Sequence, residues 1–364
     1  MNERKKRLDT LVSKLEKLVS ETNEKICWLG ECDNELYGAL LHIQRAFDRI
    51  RNVPEDKKLE YDKVREVCLS WKSHVDKIEH DYATAAKVEV QCGAAGTSLG
   101  VGVATLGPWA AMGIATSFGV ASTGTAISAL SGAAATNAAV AWLGGGAIAA
   151  GGGGMAAGNA FLALAGPVGW GIAAVSFVAS GLFFLKTISD KHKLEDVFIL
   201  IAIRDTNSYY QALIEMLERM SRIKDETEKL NDAVRDIDSF GTDYNRMTEA
   251  QQYALGSYIN LMLASTQLLV NPIMGLQPKV SFDDVWKYVR SDDYVYAGYN
   301  YYANKEIIVY LANLLYMIDM DRDAGSLLMK SFRNNKDFLK KMNLSGDVFD
   351  MDLYDFVHSF LQYK

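Results

Sequence analysis

Over 96 consecutive residues, from Val90 to Leu185, the chain has no Asp, Glu, Lys or Arg. A helix in water needs a polar face, so this stretch is excluded as a solvated surface. Cysteine is scarce: Cys27, Cys32, Cys68 and Cys92 are four in 364 residues. That is too few for a disulfide-stapled fold, and no second Cys or His pair follows Cys27 and Cys32 to complete a zinc site. The four read as reduced thiols. A basic surplus is missing too. Residues 1–89 carry 17 basic and 18 acidic side chains, net −1, and residues 186–364 carry 21 and 27, net −6, which together give the −7 of the chain. A nucleic-acid binder needs a basic face against phosphate, so no nucleic-acid partner is expected.

Motifs of catalysis are also lacking. No glycine run is followed by Gly-Lys-Ser/Thr to make a P-loop, and HExxH and CxxC are absent. The histidines (His42, His74, His80, His192 and His358) are scattered. Asp319-Met-Asp-Arg-Asp323 opens like a calcium loop, but Ala324 and Lys330 stand where such a loop needs Gly and Glu. A solvated turn between helices fits it better. The expectation is a protein that is not an enzyme and needs no cofactor or metal. The basic start, Met1 to Arg7, is not followed by an apolar run, so no secretory signal peptide is expected.

What is present is helical periodicity. Leu8, Leu11, Leu15 and Leu18 are spaced 3, 4, 3, the seam of a bundle helix, and Val12 and Val19 widen it. This predicts a helix from residue 3 to about 52, with a break allowed near Gly30 and a stop at Pro54. Leu59, Val64, Val67, Cys68, Trp71, Val75, Ile78 and Tyr82 predict a second helix to about Glu89. Leu194 to Ile237 keeps the same spacing and predicts a helix from about Lys191 to Phe240, ended by Gly241. Another is predicted from Thr248 to Val270, before Asn271-Pro272. Past Pro278 the chain turns rich in tyrosine and acid. Ser281 opens a short helix there, and others are predicted near 305–318, 324–342 and 352–363. The fold class is therefore all-α: an elongated helical bundle with a long Gly/Ala-rich hydrophobic hairpin and a small helical C-terminal domain. The parts are 1–89, 90–185, 186–277 and 278–364.

The 90–185 part holds 21 of the 29 glycines. Leu99–Val120 and Ala126–Leu143 are near the length of about 20 residues that spans a bilayer, and the longer Met155–Leu185 holds a third such stretch, with a break allowed at Pro167. Gly144, Gly145, Gly146, Gly151, Gly152, Gly153 and Gly154 form a poor helix and a natural bend. Gly96-Thr-Ser-Leu-Gly100 and Gly154-Met-Ala-Ala-Gly158 are GxxxG spacings, which let helix backbones approach closely in lipid. Two readings fit, a membrane-inserting glycine-zipper hairpin and the buried core of a soluble protein. The length of the uncharged run favours the first. Trp109, Trp142 and Trp170 are interfacial anchors on one reading and core fillers on the other. Flanks on one side need an even number of crossings, two or four. Lys77 and Lys87 before, and Lys186, Lys191 and Lys193 after, suit cytoplasmic flanks.

Amphipathic helices, an uncharged Gly/Ala hairpin and a further long helix, over about residues 1–270, resemble the helical pore-forming toxins of the cytolysin A and haemolysin BL type in their order of parts. The run from Ala141 to Gly158 is also similar to apolipoprotein-L-like and bacterial defence-associated membrane segments. The toxin resemblance implies a hairpin that packs on a bundle when soluble, swings out to insert, and builds a homo-oligomeric pore. This chain departs in its longer hairpin and added C-terminal domain. The expected function is permeabilisation of a lipid bilayer by a toxin or defence effector made in the cytoplasm, with the cytoplasmic membrane as target and the C-terminal domain open to a protein partner. Export without a classical signal is the other route to a membrane. The alternative is a non-lytic, membrane-anchored helical scaffold that recruits partners.

Overall fold

The structure, a computed structural model, describes residues 3–92, 187–276, 279–280, 282–291, 301–336, 339 and 345–364. The described part is all-α, with no strand among its residues. Its helices are α1 (Glu3–Asp48), α2 (Glu55–Cys92), α3 (Ile188–Phe240), α4 (Glu249–Val270), α5 (Phe282–Val289), α6 (Tyr301–Leu315), α7 (Arg322–Asn334) and α8 (Met351–Tyr363).

The leucine seam of α1 is buried as its spacing implies: Leu8, Leu15 and Leu18, then Ile26, Leu29, Leu36, Leu40 and Ile43. The helix passes unbroken through Gly30, where the sequence allowed a break, because Gly30 is itself buried. α3 starts at Ile188, earlier than its apolar spacing indicated, since Thr187 caps it by accepting a bond from the Asp190 amide at 3.2 Å. At 53 residues it is about 80 Å long.

α1 and α3 form the most extensive helix pair, and they run parallel. Arg4 meets Asp196 at 3.4 Å near one end, Lys14 lies over the Tyr210 ring, and Arg49 binds Asp238 at the other end. Adjacent parallel helices need a long return. α2 supplies part of it by descending against α1, with Tyr61 stacked on Phe47 and Trp71 against Tyr37, both at 5.4 Å. α4 descends against α3, where the Tyr258 hydroxyl donates to Asp236 and Ser265 to Glu226. α4 also meets α2, with Cys68 Sγ 3.3 Å from Thr266 Oγ1. Thr248 and Gln251 close a capping box at its start.

Where α1 and α3 end, their loops are joined. The Arg51 amide donates to Thr242 O at 2.9 Å and the Tyr244 amide to Arg51 O at 3.0 Å. The left-handed Asn52 (φ 61) sends its side chain to Asp243 at 2.9 Å. The opposite end of the bundle is the base. α2 points toward it and α3 starts from it, so the two helices flanking residues 93–186 face the same end.

The sequence expectation is revised at two apolar positions. Leu59 and Leu217 fit the helical spacing but are exposed, because Tyr61, Val64, Cys68, Trp71 and Val75 are the buried face of α2, and Met216 and Met220 that of α3. The C-terminal helices do not keep a core to themselves. Leu8 of α1 and Leu194, Val197, Phe198, Ile199 and Ile201 of α3 lie in one apolar cluster with residues of α5 to α8. Two glycines permit close approaches: a Cβ on Gly275 would sit 2.6 Å from the Ala212 amide, and one on Gly325 would sit 2.3 Å from the Tyr354 ring.

Candidate functional site

The residues singled out from the sequence are Gly96, Gly100, Trp109, Trp142, Gly144, Gly145, Gly146, Gly151, Gly152, Gly153, Gly154, Gly158 and Trp170. All lie outside the described residues. The stretch Gly96 to Gly100 also has the letters GxSxG around Ser98. A nucleophile elbow needs a strand-to-helix turn to support it, and this stretch too lies outside the described residues.

The structure does define the frame that carries the uncharged segment, above all the root of α3. From Leu194 to Ala202, seven residues are buried: Leu194, Glu195, Val197, Phe198, Ile199, Ile201 and Ala202. α1 covers one side and the C-terminal helices another. Lys193 adds an ion pair to Asp323 at 3.6 Å, but Asp323 is largely exposed and the pair contributes little. The near-continuous apolar run from Val197 to Ile203 is the sequence signal of this burial, since a helix wet on one face would carry polar residues there.

One turn further on, Arg204 fixes α6 to α3. Its Nη1 donates to the carbonyls of Asn313, Leu314 and Tyr316 at 3.3, 2.9 and 2.7 Å. These are carbonyls of the last turn of α6 and just beyond, where the negative end of the helix dipole lies, and Asn313 O also accepts from the Tyr316 amide at 3.3 Å. The guanidinium also binds Asp205, with Nε 2.9 Å from Oδ1. Asn313 extends the joint. Its side chain accepts from the Val280 amide and donates to Val280 O, each at 2.8 Å, so the strand of chain entering the C-terminal helices is held as well. Arg219 repeats the device on α4, donating to Leu268 O, Asn271 O and Pro272 O. Its neighbour Glu215 accepts from the Met274 and Gly275 amides at 3.0 and 3.3 Å.

Asp205 is almost wholly buried, and burial lifts its carboxyl above the ordinary value of 3.8 against the pull of Arg204. The native state therefore keeps this proton in a window above 3.8 where the unfolded chain has released it. Across that window the group's contribution to stability falls as pH rises toward the native value. Asp205→Asn removes this component. Urea titrations from about pH 4 to pH 7 are expected to show the variant gaining stability relative to wild type as pH rises. Identical slopes in the two proteins would mean that Asp205 titrates normally.

Burial pushes the Cys27, Cys32 and Cys68 thiols up, so these three stay protonated and weakly nucleophilic. Among the described residues no group of three His, Cys, Asp or Glu side chains is placed to hold a metal ion. Asp321 of the calcium-like stretch caps α7 instead, accepting from the Ala324 amide at 2.7 Å. One helical stretch of the described residues, Glu249–Leu276, is long and apolar enough to cross a membrane. Over half of its most apolar window is buried in the bundle, however. On α3, Tyr210, Ile214 and Leu217 are 42, 58 and 50% exposed at a spacing of 4 and 3, an apolar stripe left in solvent.

Comparison with protein-family models, with characterised proteins and with solved structures finds no match for this chain. The class is defined by the structure alone: an all-α protein in which a bundle built on a parallel helix pair shares its base with a set of C-terminal helices.

Proposed function

We propose that this chain is a membrane-active protein that inserts residues 90–185 into a bilayer and permeabilises it as a homo-oligomer. The observation that carries the reading is the run of 96 uncharged residues, rich in glycine and alanine, between two long charged helices. Lipid excludes charge, whereas a soluble surface requires it. The directions of α2 and α3 support the reading. Both of the segment's flanking helices face the base of the bundle, as an even number of crossings requires. The clamps from Arg204 and Arg219 give the bundle the fixed junctions that a frame for such a segment needs.

Small-residue contacts would then hold the inserted helices together. The double variant Gly154→Leu plus Gly158→Leu is expected to lose dye release from liposomes while keeping the helix content of the wild type. Full release from the double variant would refute the glycine-zipper role.

A second reading is a non-lytic scaffold anchored by the same segment. The stripe Tyr210, Ile214 and Leu217 favours it, since a contiguous exposed apolar face is a surface that protein partners use. It predicts flotation with liposomes without release.

A further inference from the structure

At the looped end of the bundle, remote from the base, a cleft of about 480 Å³ opens between the first turns of α2 and the upper half of α4. Its size lies within the range of small-molecule sites, about 300–1,000 Å³. Leu8, at the base, is 39 residues from Phe47, at the cleft, on the same helix, or about 60 Å along its axis.

The cleft has an apolar floor and a charged rim. Phe47 and Tyr61, stacked at 5.4 Å, form one wall, and Leu255 and Ile259 of α4 form the other. Gly256 lies between these two. A Cβ there would meet nothing within 4 Å, so the helix backbone itself is open to an occupant. The Tyr61 hydroxyl is held by Asp48 Oδ1 and Gln44 O, at 2.9 and 3.1 Å, which fixes the ring in the cleft's lining.

At the rim three cations stand against two carboxylates: Lys57, Lys58 and Arg65 against Asp48 and Asp62. Asp48 is engaged by Arg65 at 3.8 Å as well as by Tyr61, and Lys57 by Glu60 at 3.6 Å. Lys58 has no ion pair among the described residues. α2 and α4 begin at this end and α1 and α3 finish there, so the helix dipoles largely offset one another and the side chains set the charge of the rim.

We propose that this cleft binds a small anionic amphiphile, with its apolar body on Phe47, Tyr61, Leu255 and Ile259 and its acidic head at Lys58. An aliphatic or planar body suits a floor made of two stacked rings and two aliphatic side chains. A single acidic head suits one uncommitted ammonium. None of the lining residues belongs to 90–185, and the proposal does not rest on the membrane reading.

The test is isothermal titration of the full-length protein with dodecanoate below its micellar concentration, and with dodecyltrimethylammonium as the cationic control. Wild type is expected to bind one equivalent of dodecanoate, at least about tenfold more tightly than the cation, about 1.4 kcal/mol. Gly256→Met, whose Cβ would meet nothing within 4 Å, adds a flexible side chain on the cleft's lining and is expected to weaken binding at least about tenfold, with thermal stability not lowered. Lys58→Glu, on the exposed rim, is expected to lose the preference for the anion while folding normally. The proposal is overturned by the absence of saturable binding in wild type, or by equal affinity for the two amphiphiles. Binding that survives Gly256→Met undiminished would overturn it as well, because the ligand would then sit elsewhere, such as on the uncharged segment.

Discussion

Arg204→Ala is expected to destabilise the protein by about 3–5 kcal/mol at neutral pH, the usual cost of breaking a buried ion pair from one side. Two losses combine. The carbonyls of Asn313, Leu314 and Tyr316 lose their charged donor, which frees the end of α6 from α3. Asp205, whose side chain is only 3% exposed, loses its cation. A carboxylate so buried takes up a proton rather than remain charged alone. The native pKa, already raised, therefore rises further, and the cost of the substitution grows with pH across a wider window. Asp205→Asn in the Arg204→Ala background is expected to recover part of the stability and to remove the added pH dependence. Urea denaturation of the two single variants and the double variant from about pH 5 to pH 8 measures this coupling. A loss below about 1 kcal/mol, with no new pH dependence, would show that Arg204 does not hold the C-terminal helices to α3.

The second large effect is at Trp71. Its side chain is fully buried on α2, against Tyr37 of α1. Trp71→Ala is expected to cost about 3–5 kcal/mol through lost apolar burial and the cavity left behind. The indole Nε1 has no hydrogen-bond partner among the described residues, where the buried ring bears an unsatisfied donor. Trp71→Phe keeps most of the contact and removes that donor. It is expected to cost about 1 kcal/mol or less. Denaturation midpoints for the two variants separate these contributions. Equal losses would mean that the nitrogen, rather than the ring's volume, is what the site requires. Because Trp71 lies where α2 descends toward the uncharged segment, Trp71→Ala also tests how firmly that helix is anchored to the bundle.

Most helices were legible because their periodicity is physical. A helix with the leucine seam of α1, or with Val64, Cys68, Trp71 and Val75 on one face of α2, has only one way to leave water. Stops and starts were equally local: Gly241 takes a positive φ that other residues avoid, and Thr248 supplies a capping oxygen.

The direction of pairing was not legible. Nothing in the spacing of α1 or α3 specifies that they run parallel, since the same apolar stripe serves either direction. The Arg204 joint was hidden for a similar reason. An arginine in a long amphipathic helix reads as a wet residue, and only the apolar run before it hinted at burial. The cleft under the loops draws on α1, α2, α4 and the turn at Tyr244, so no short motif encodes it. Leu217 shows the opposite failure, an apolar residue in register that the fold leaves outside.

The most direct test is dye release from liposomes by the full-length protein and by a version lacking residues 90–185. A permeabilising protein releases dye only when that segment is present, and the shortened version keeps the helices of the bundle but leaves the liposomes sealed. Equal release by both versions, or no release by the full-length protein, would contradict membrane permeabilisation by the uncharged segment.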